Sequence, residues 1–540
     1  MFRRAISVLA SGLLLGCPTP QVADTGCDLD EGCYCSAANE LAPISPQVEQ
    51  GPIYQIYVRS FRDSDGDGVG DLAGVTEKLD YLQELGVGAI WLMPIFQSGS
   101  PAGYDVDDFS VVDPDYGTVE DFEALTAAAH DRGLRVLLGL PFNHTSIDNA
   151  WFTEASTDPS SEGRDWYVLA DEQHDTIRWF PDGNGSYYYA YFGEGFPDLN
   201  WRNPELTEAM LEVMETWADR GADGFRLDAV LQLIESDVAI SDTPQTHCLL
   251  RWLYAEHAQR SDATWLAEAW HKQLDDLVEY LGPDDQPETD QALNVPRRSA
   301  LLVAFDGNSL PLTTLLNQEA LLGVSDRLAA YLGSHDTDRL ATVVADAAAR
   351  RALMLTHLLL PGTPVLYYGD EIGLPDSLET YDQDRANRGL MHWDDTHTGG
   401  FTSGDPWFPS DPAVVAAHNV AAAEADPSSA LNVVRAVNAL RGAHGVLRDG
   451  ELRWLTTNDS ERVLAFERSV GNTRLLAVIN LSGDALDGVG VVVEGAFISL
   501  TEEGARVSSD GSLDVGALAA YGYRVYGTEA LAGLHLPAAY

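Results

Sequence analysis

From Gly51 onward, short apolar runs rich in β-branched and aromatic residues alternate with stretches of helical character. This alternation is typical of a parallel β-sheet whose strands are joined by helices. The candidate strands are 52–61, 88–95, 134–142, 224–230, 264–270, 328–336 and 363–371, with an eighth expected near 301–307. Seven or eight such units over about 390 residues predict a (β/α)8 barrel, which places its chemistry at the carboxyl ends of the strands.

Two further regions are expected around this barrel, which would occupy residues 51–445. The segment 143–205 is too long for an ordinary connection after the third strand and is rich in Trp, Tyr, Gly and Asp, so it predicts a small inserted domain. From 446 to 540, apolar runs follow one another at short spacing with turn residues between them. That pattern predicts a C-terminal antiparallel β-sandwich, and the whole chain is expected to be an α/β protein.

The N-terminus has the features of an export signal over residues 1–17, because Arg3 and Arg4 precede an apolar stretch too short to span a bilayer. The sequence "LLGC", which ends at Cys17, resembles the lipobox of bacterial lipoproteins. Cys17 would then carry a lipid anchor, although ordinary secretion remains an alternative because Leu15 is unusual at its place. Residues 18–50 are expected to form a tether, and the protein is expected outside the cell or on its surface.

Export leaves four cysteines as candidates for disulfides in an oxidising compartment: Cys27, Cys33, Cys35 and Cys248. Four cysteines allow three pairings, and the sequence does not choose among them. A metal knuckle at "CDLDEGCYC" is the alternative, but no histidine or second CxxC accompanies it.

The charge of the chain excludes one class of partner. Acidic residues number 84 against 32 basic ones, for a formal net charge of −52. A surface this acidic repels phosphate backbones, so nucleic acid is not an expected partner.

The stretch "GADGFRLDAV" puts two charged residues into an otherwise apolar run. Arg226 and Asp228 are two apart and would project from the same face of a strand. A structural ion pair is one interpretation. Other polar residues also follow predicted strands, namely Tyr104, Asn143, His144, Glu268, His335 and Asp336. Three carboxylates in one barrel mouth would repel one another, which raises the pKa of at least one of them, and a general acid requires a raised pKa.

Eight stretches in order resemble motifs of the α-amylase family, glycoside hydrolase family 13, over nearly all of residues 50–527. They are "GVGAIWLMPI", "GYDVDDF", "NHTS", "FPDLNWRNPEL", "GFRLDAV", "WLAEAW", "SHDTDR" and "GTPVLYYGDEIGL". The resemblance implies that Asp228 is the nucleophile, Glu268 the general acid/base and Asp336 the carboxylate that binds and distorts the sugar. It also implies that the subsite before the scissile bond is lined by Tyr104, His144, Arg226 and His335.

A retaining glycosidase needs one ionised carboxylate to attack and one protonated carboxyl to assist departure, about 5–5.5 Å apart. Arg226, on the same strand face, would keep Asp228 ionised. The expected substrate is an α-glucan polysaccharide or oligosaccharide, and the protein is expected to be a monomer.

"DSDGDGVGDLAG", residues 63–74, predicts a calcium loop. Carboxylates alternate with flexible glycines, and the expected ligands are Asp63, Asp65, Asp67 and Asp71 with the carbonyl of Val69. An EF-hand is excluded because Gly74 stands where a bidentate Glu is required, and the loop resembles the one after the first strand in members of the same family. The alternative is an acidic, solvated turn. Asn143 and Asp198 match positions that hold a different calcium in α-amylases.

Three departures from the family pattern bear on the activity. Gly139 and Ser334 replace an Asp and an Asn, and Leu231 and Gln232 replace a Lys-His pair. Pro101 stands where exo-acting α-glucosidases and trehalose synthases carry an Asp, which predicts an α-amylase that cuts internal α-1,4 bonds. The alternative is an α-glucosidase or a transglycosylating relative, because "NRGLMHWDD" resembles "RTPMQWD" of the glucosidases. A third hypothesis is a carbohydrate-binding surface protein without catalysis.

Overall fold

The computed structural model describes residues 51–236, 239–377, 386–502 and 506–538. The predicted signal segment, the tether and its cysteines lie outside the described residues. In chain order the strands are β1 (Ile53–Ile56), β2 (Ala89–Leu92), β3 (Phe96–Ser98), β4 (Val106–Val112), β5 (Arg135–Leu140), β6 (Leu169–Ala170), β7 (Trp179–Pro181), β8 (Tyr187–Tyr189), β9 (Gly224–Leu227), β10 (Thr264–Ala267), β11 (Gln291–Leu293), β12 (Leu328–Tyr331), β13 (Thr363–Tyr367), β14 (Glu451–Trp454), β15 (Val463–Val470), β16 (Thr473–Asn480), β17 (Leu486–Val491), β18 (Glu494–Ser499), β19 (Arg506–Asp510), β20 (Leu513–Leu518) and β21 (Tyr523–Gly527).

The α-helices are α1 (Leu72–Glu77), α2 (Leu79–Leu85), α3 (Val119–His130), α4 (Ala150–Thr157), α5 (Pro204–Asp219), α6 (Pro244–His257), α7 (Leu274–Glu279), α8 (Val295–Phe305), α9 (Leu310–Leu322), α10 (Leu340–Val343), α11 (Ala347–Leu359), α12 (Pro412–Ala417), α13 (Val420–Ala425) and α14 (Ala430–Ala443). Asn and Asp side chains cap many of these helices, as Asn203 does for α5 by accepting from the backbone N–H of Glu205 and Leu206. None of the helices in the described ranges is both long and apolar enough to cross a membrane.

Eight parallel strands close into a barrel in the order β1, β2, β5, β9, β10, β11, β12, β13 and back to β1. The predicted (β/α)8 barrel is therefore confirmed. Apolar side chains from alternate strand positions fill the barrel interior, among them Trp91, Leu137, Leu266 and Tyr331. Leu266 pairs in register with Arg226, so Arg226 projects into the same interior at the carboxyl ends of the strands.

The prediction of an eighth strand near 301–307 is wrong. Those residues form the end of α8 and the turn after it, and the barrel strand is β11, whose three residues are too short to show alternation. The side chain of Asn294 accepts from the backbone N–H of Arg297 and starts the helix directly after the strand. Leu301 and Ala304 are apolar because this helix packs on the barrel.

Two smaller regions flank the barrel. Between β5 and α5 lie α4 and a three-stranded sheet in the order β6, β8, β7, which stands at the carboxyl ends of the barrel strands. After α14, a six-stranded antiparallel sheet (β14, β15, β16, β21, β18, β19) and a two-stranded sheet (β17, β20) share one apolar core. The expected C-terminal antiparallel region is therefore present.

Candidate active site

The backbone turns sharply after β9 and leaves Asp228 at the mouth of the barrel. The backbone N–H of Asp228 donates to the carbonyl of Leu140 at 3.0 Å, which continues the sheet by one residue. Ala229 then adopts a left-handed conformation, with φ 52°, that a residue with a β-carbon rarely takes. Strain of this kind persists where the surrounding structure fixes it and is concentrated at functional sites.

Arg226 lies between two carboxylates. Its Nη1 donates to Oδ1 of Asp228, and its Nη2 is 2.5 Å from Oε1 of Glu268. The arginine side chain is fully buried, whereas the two carboxylates are 11% and 12% exposed and so face the mouth. The neighbouring residue in register on β5 is Gly139, which adds no side chain beside the guanidinium. One buried cation is thereby shared by both acidic groups.

Glu268 has the electrostatics of a general acid. Burial raises its pKa to about 8, against the opposing effect of Arg226, and the negative charges of Asp228 and Asp336 raise it further. With a pKa this high, Glu268 is protonated at neutral pH.

Asp336 completes the group of three carboxylates and is held by basic neighbours. Its Oδ2 is 3.1 Å from Nε2 of His335, and its Oδ1 is 3.8 Å from Nη2 of Arg388. The ring of Tyr104 stacks on His335 with centroids 5.7 Å apart, and its hydroxyl is 2.5 Å from Nε2. Burial raises the pKa of Tyr104 well above its usual value, so this hydroxyl stays protonated.

His144 lines the other side of the mouth. Its ring lies 5.2 Å from that of Phe192 and 5.1 Å from that of Phe196, measured between centroids. Burial lowers its pKa, although the charge of Asp228 works against this shift. The structure thus gathers all seven residues expected at the sugar site into one mouth.

Two contributors were not assigned from the sequence. Gln55, on β1, is fully buried, and its Nε2 is 2.7 Å from Nδ1 of His335. Arg388 donates from Nε to the backbone carbonyl of His335 at 3.3 Å and its guanidinium faces the ring of Tyr57. The motif "NRGLMHWDD" contains Arg388 and could have indicated it, whereas no local pattern marks Gln55.

The departures from the family pattern leave the carboxylates in place. A β-carbon at Gly139 would lie 3.0 Å from Cδ of Pro94, so proline packing occupies the space of the missing side chain. Oγ of Ser334 accepts from the backbone N–H of Asp336 at 3.2 Å. Asn387 adds hydrogen bonds from Nδ2 to the carbonyls of Ser334 and Thr337, at 3.1 and 2.8 Å. The loop that carries Asp336 is therefore held without the usual Asn.

The acidic loop after β1 brings together three of its four carboxylates. Ligand oxygens of Asp63, Asp65 and Asp71 all lie within 4.8 Å of one another, whereas Oδ1 of Asp67 accepts from the backbone N–H of Val69. Gly68 has φ 98°, and a β-carbon there would lie 2.0 Å from the carbonyl oxygen of Asp405, so only glycine suits that turn. Hard oxygen donors at this spacing suit calcium.

Asp63 and Asp71 respond differently to their surroundings. Burial alone would raise the pKa of Asp63, but hydrogen bonds from Thr402 and from the backbone amides of Gly66, Gly68 and Asp65 bring it below its usual value. Burial raises the pKa of Asp71, and the charge of Asp63 adds to this shift. A cation between them would relieve that repulsion.

A second buried acidic pair lies near His144. Burial raises the pKa of Asp198 well above its usual value, and the charge of the neighbouring Glu235 adds to the shift. Burial also raises the pKa of Glu235 to about 7. Asn143 lies close enough to Asp198 to lower its pKa, so the two residues implied at a different calcium do meet, together with a glutamate that was not assigned from the sequence.

Comparison with known proteins places this site among enzymes of carbohydrate chemistry. The family model described as "Alpha amylase, catalytic domain" matches residues 55–450. The chain is 30% identical over 512 residues to glucan 1,6-alpha-glucosidase of Streptococcus pneumoniae, covering 84% of this chain and 94% of that protein. It is 35% identical over 474 residues to a trehalose synthase/amylase of Mycolicibacterium smegmatis, covering 77% and 79% respectively. A crystal structure of alpha-amylase from H.orenii superimposes with a TM-score of 0.77 and 31% identity, over 89% of this chain and 100% of that one.

Proposed function

Because the chain belongs to the alpha-amylase family of glycoside hydrolases, we propose that this enzyme cleaves internal α-1,4-glucosidic bonds of α-glucans with retention of configuration. The observation that carries the chemistry is the single arginine, Arg226, shared by Asp228 and Glu268. Asp228 lies at this cation as the carboxylate that would attack, and beside it Glu268 is a carboxyl with a raised pKa. A retaining glycosidase needs that pair of groups.

In the first step, a carboxylate oxygen of Asp228 attacks the anomeric carbon while Glu268 gives its proton to the departing glycosidic oxygen. The bond to the leaving group breaks as the ester bond to Asp228 forms. In the second step, the ionised Glu268 takes a proton from an acceptor hydroxyl, whose oxygen attacks the anomeric carbon and releases Asp228. Water as acceptor gives hydrolysis, and a sugar hydroxyl gives transfer.

Asp336 is proposed to hold the sugar hydroxyls before the scissile bond. It is more exposed than the other two carboxylates, at 26%, and is oriented by His335 and Arg388. Hydrogen bonds to hydroxyls that strengthen as the ring flattens stabilise the transition state more than the ground state. Tyr104 and His144 would pack against the same ring.

The rim at Pro101 supports internal cleavage. Its carbonyl accepts from the hydroxyls of Tyr57 at 2.6 Å and Tyr116 at 3.4 Å, so the backbone is anchored on the protein side. The nearby carboxylate of Asp105 is hydrogen-bonded to Ser98 and Ser100 of the same loop. Pro101 itself has no side-chain oxygen with which to grip the end of a glucan.

A second candidate function is an α-glucosidase or an isomerising transglycosylase. The contact of Arg388 with Asp336 favours it, because a second cation beside the sugar could hold a chain end. Glucan 1,6-alpha-glucosidase and trehalose synthase/amylase are also the names of two relatives.

The products formed from three substrates distinguish these functions. Soluble starch, maltose and isomaltose would be incubated separately with the enzyme and sampled from the first percent of conversion. Internal cleavage predicts an early fall in starch viscosity, with maltose and longer oligosaccharides before glucose. Glucose as the main early product, or conversion of maltose to an isomer, would assign the second function instead. Pro101→Asp is the matched variant and should shift the products toward glucose.

Calcium is the proposed structural ion, and the donor set of the loop after β1 suits it. Asp63, Asp65 and Asp71 would hold it, and a bound divalent cation would supply charge neutralisation rather than chemistry on the sugar. The pair of Asp198 and Glu235, with Asn143, offers a second set of hard oxygen donors. Chelation should lower the melting temperature, because an ion that binds only the folded state stabilises that state.

Matched variants separate calcium binding at the loop from the general effect of removing one negative charge from it. Asp65→Asn should remove most of the response of the melting temperature to added calcium, whereas Asp67→Asn should leave much of it. An unchanged melting temperature of the wild type in chelator would mean that the loop is only an acidic turn.

Export and attachment to a membrane through a lipid at Cys17 are also proposed. Cys248 on α6 is disulfide-bonded, which supports an oxidising compartment, and its bonding partner lies outside the described residues. Metabolic labelling with a fatty acid tests the anchor, and Cys17→Ala should abolish the label. The enzyme is further proposed to act as a monomer, which sedimentation would check.

A further inference from the structure

We propose that Gln55 is a positioning residue for the sugar site: it fixes His335 in the neutral tautomer whose proton lies on Nε2 and faces Asp336. The inference rests on the role proposed above for Asp336. Gln55 lies on β1 and His335 follows β12, so 280 residues separate two side chains that meet at 2.7 Å in the barrel interior. Both residues are buried, at 0% and 2% exposure, which keeps solvent from competing for the contact.

The ring of His335 is fixed on every side, so only its protons remain to be assigned. Tyr104 stacks on one face at an interplanar angle of 5°, and Trp91 packs edge-on with centroids 5.9 Å apart. Arg388 holds the backbone carbonyl of the same residue at 3.3 Å. A ring held in this way cannot turn to suit a different pattern of donors and acceptors.

Two hydrogen-bond patterns are consistent with neutral imidazole at these distances. In the first, the amide N–H of Gln55 donates to Nδ1 and the proton on Nε2 lies between Tyr104 and Asp336. In the second, the Gln55 amide is reversed, Nδ1–H donates to its oxygen, and Tyr104 donates to Nε2. In both patterns one atom of the Gln55 amide bonds Nδ1 while its other atom is buried without a partner among the described residues, and the Tyr104 hydroxyl bonds Nε2, so these two residues do not choose between the patterns.

Asp336 makes the choice. Its Oδ2 is 3.1 Å from Nε2 of His335. In the second pattern this carboxylate oxygen would face the lone pair of Nε2, which places two acceptors against each other. In the first pattern the proton lies on the nitrogen that this negative charge faces, so the contact is attractive. The amide N–H of Gln55 is therefore the group that keeps the proton on the nitrogen nearest Asp336.

The consequence is a fixed direction for the Asp336 carboxylate. Its Oδ2 lies beside Nε2–H and its Oδ1 lies 3.8 Å from Nη2 of Arg388, so a neighbour holds each oxygen of a side chain that is 26% exposed. The titratable and charged groups near His335 include Tyr104, Asp336 and Arg388, and Glu268 and Tyr331 line the same small cavity as Gln55 and the histidine. Gln55 is neutral, so its replacement by a carboxylate would add charge only on the Nδ1 side of the ring.

Two substitutions at one position test the inference by direction. Gln55→Leu removes the N–H donor at similar volume and lets either nitrogen carry the proton. Gln55→Glu is isosteric and puts an acceptor against Nδ1, which favours Nδ1–H and, at lower pH, the imidazolium. Gln291→Leu is the matched control, because Gln291 is a buried barrel glutamine on β11 whose Nε2 donates to Oγ1 of Thr363, away from the sugar site.

The first measurement is ¹⁵N NMR of histidine-labelled enzyme without substrate, with the His335 signals assigned by His335→Asn. The wild type should show a protonated Nε2 and an unprotonated Nδ1 near neutral pH, and Gln55→Glu should reverse this or show both nitrogens protonated. The control should keep the wild-type pattern. A wild-type spectrum with the proton on Nδ1 would overturn the inference, and this readout does not depend on which glucan the enzyme cleaves.

The second measurement is the kinetics of the same variants on the best substrate among starch, maltose and isomaltose. Gln55→Leu should lower kcat about tenfold with a smaller change in KM, because the hydrogen bonds of Asp336 are proposed to strengthen in the transition state. In Gln55→Glu, kcat/KM should fall as pH rises past the point at which the His335 imidazolium loses its proton from Nε2. Gln55→Leu should show no such fall. Gln291→Leu should lower only the melting temperature. A wild-type kcat in both Gln55 variants would overturn the positioning role. If the enzyme instead prefers maltose or isomaltose and the Gln55 variants still show these effects, only the proposed function is overturned.

Discussion

Buried arginines stand at both ends of the barrel, and they meet different groups. At the carboxyl ends of the strands, Arg226 contacts the carboxylates of Asp228 and Glu268. At the amino ends, Arg468 donates to the carbonyls of Leu359 and Leu447 at 2.8 and 3.0 Å, and Arg441 donates to the carbonyl of Leu358 at 2.9 Å. Those carbonyls include the C-terminus of α11, which carries only a partial negative charge.

The difference appears in the electrostatics of the two ends. The carboxylates around Arg226 raise the pKa of that arginine in spite of its burial. Burial lowers the pKa of Arg441 to about 10 and that of Arg468 to about 9, and neighbouring arginines add to both shifts, whereas the charge of Asp449 opposes the shift of Arg468 only in part. A buried arginine at the mouth therefore adjusts acidic groups for chemistry, whereas at the other end it joins a helix terminus to the C-terminal sheets.

The largest expected effect separates these two roles directly. Arg226→Met should lower kcat/KM by about 10³-fold, because Asp228 and Glu268 lose the buried cation that they share. Arg468→Met should leave kcat/KM of the folded enzyme within about twofold but destabilise it by about 3 kcal/mol, since it leaves carbonyls of Leu359, Leu447 and Gly450 without their donor. Steady-state kinetics and calorimetry on both variants provide the comparison. Equal losses of activity in the two variants would remove the distinction between the ends.

A smaller effect concerns the pH dependence of the mouth alone. Glu268 must be protonated to act as an acid, and its pKa is raised to about 8, so kcat/KM should fall above about pH 8 by about tenfold per pH unit. With an α-glycosyl fluoride, whose leaving group needs no proton, Glu268→Gln should show no such fall (the alkaline limb of the pH profile). Arg468→Met should retain the wild-type limb. A limb that persists in Glu268→Gln would assign the pKa to another group.

The smallest effect is on stability and follows from the same raised pKa. Folding favours the protonated form of Glu268, so its contribution to stability is fully present below its usual pKa of 4.5 and is lost as pH rises through about 8. Glu268→Gln stays neutral and should therefore raise the melting temperature at pH 8.5 by about 2 °C or more, with little change at pH 4. Thermal melts at the two pH values check the sign. A lower melting temperature of this variant at pH 8.5 would contradict it.

The sequence predicted the parts of the molecule that are local in the chain. Long apolar runs gave seven barrel strands, and the structure brings the strand-end carboxylates Asp228, Glu268 and Asp336 together at one mouth, as expected. The eighth strand failed because β11 has only three residues, whereas the apolar face of α8 mimics a strand. Gln55 could not be predicted, because its role depends on a contact across 280 residues.

Asp228 is proposed to attack the sugar, and Glu268 to assist first as acid and then as base. Mass spectrometry of the enzyme after incubation with 5-fluoro-α-glycosyl fluorides of glucose and maltotriose tests this proposal most directly, because these reagents form the ester but release it slowly. The account predicts a covalent glycosyl label on the peptide that carries Asp228, with none in Asp228→Asn and a longer-lived label in Glu268→Gln. A label on another residue, or turnover of these reagents by Asp228→Asn at the wild-type rate, would contradict it.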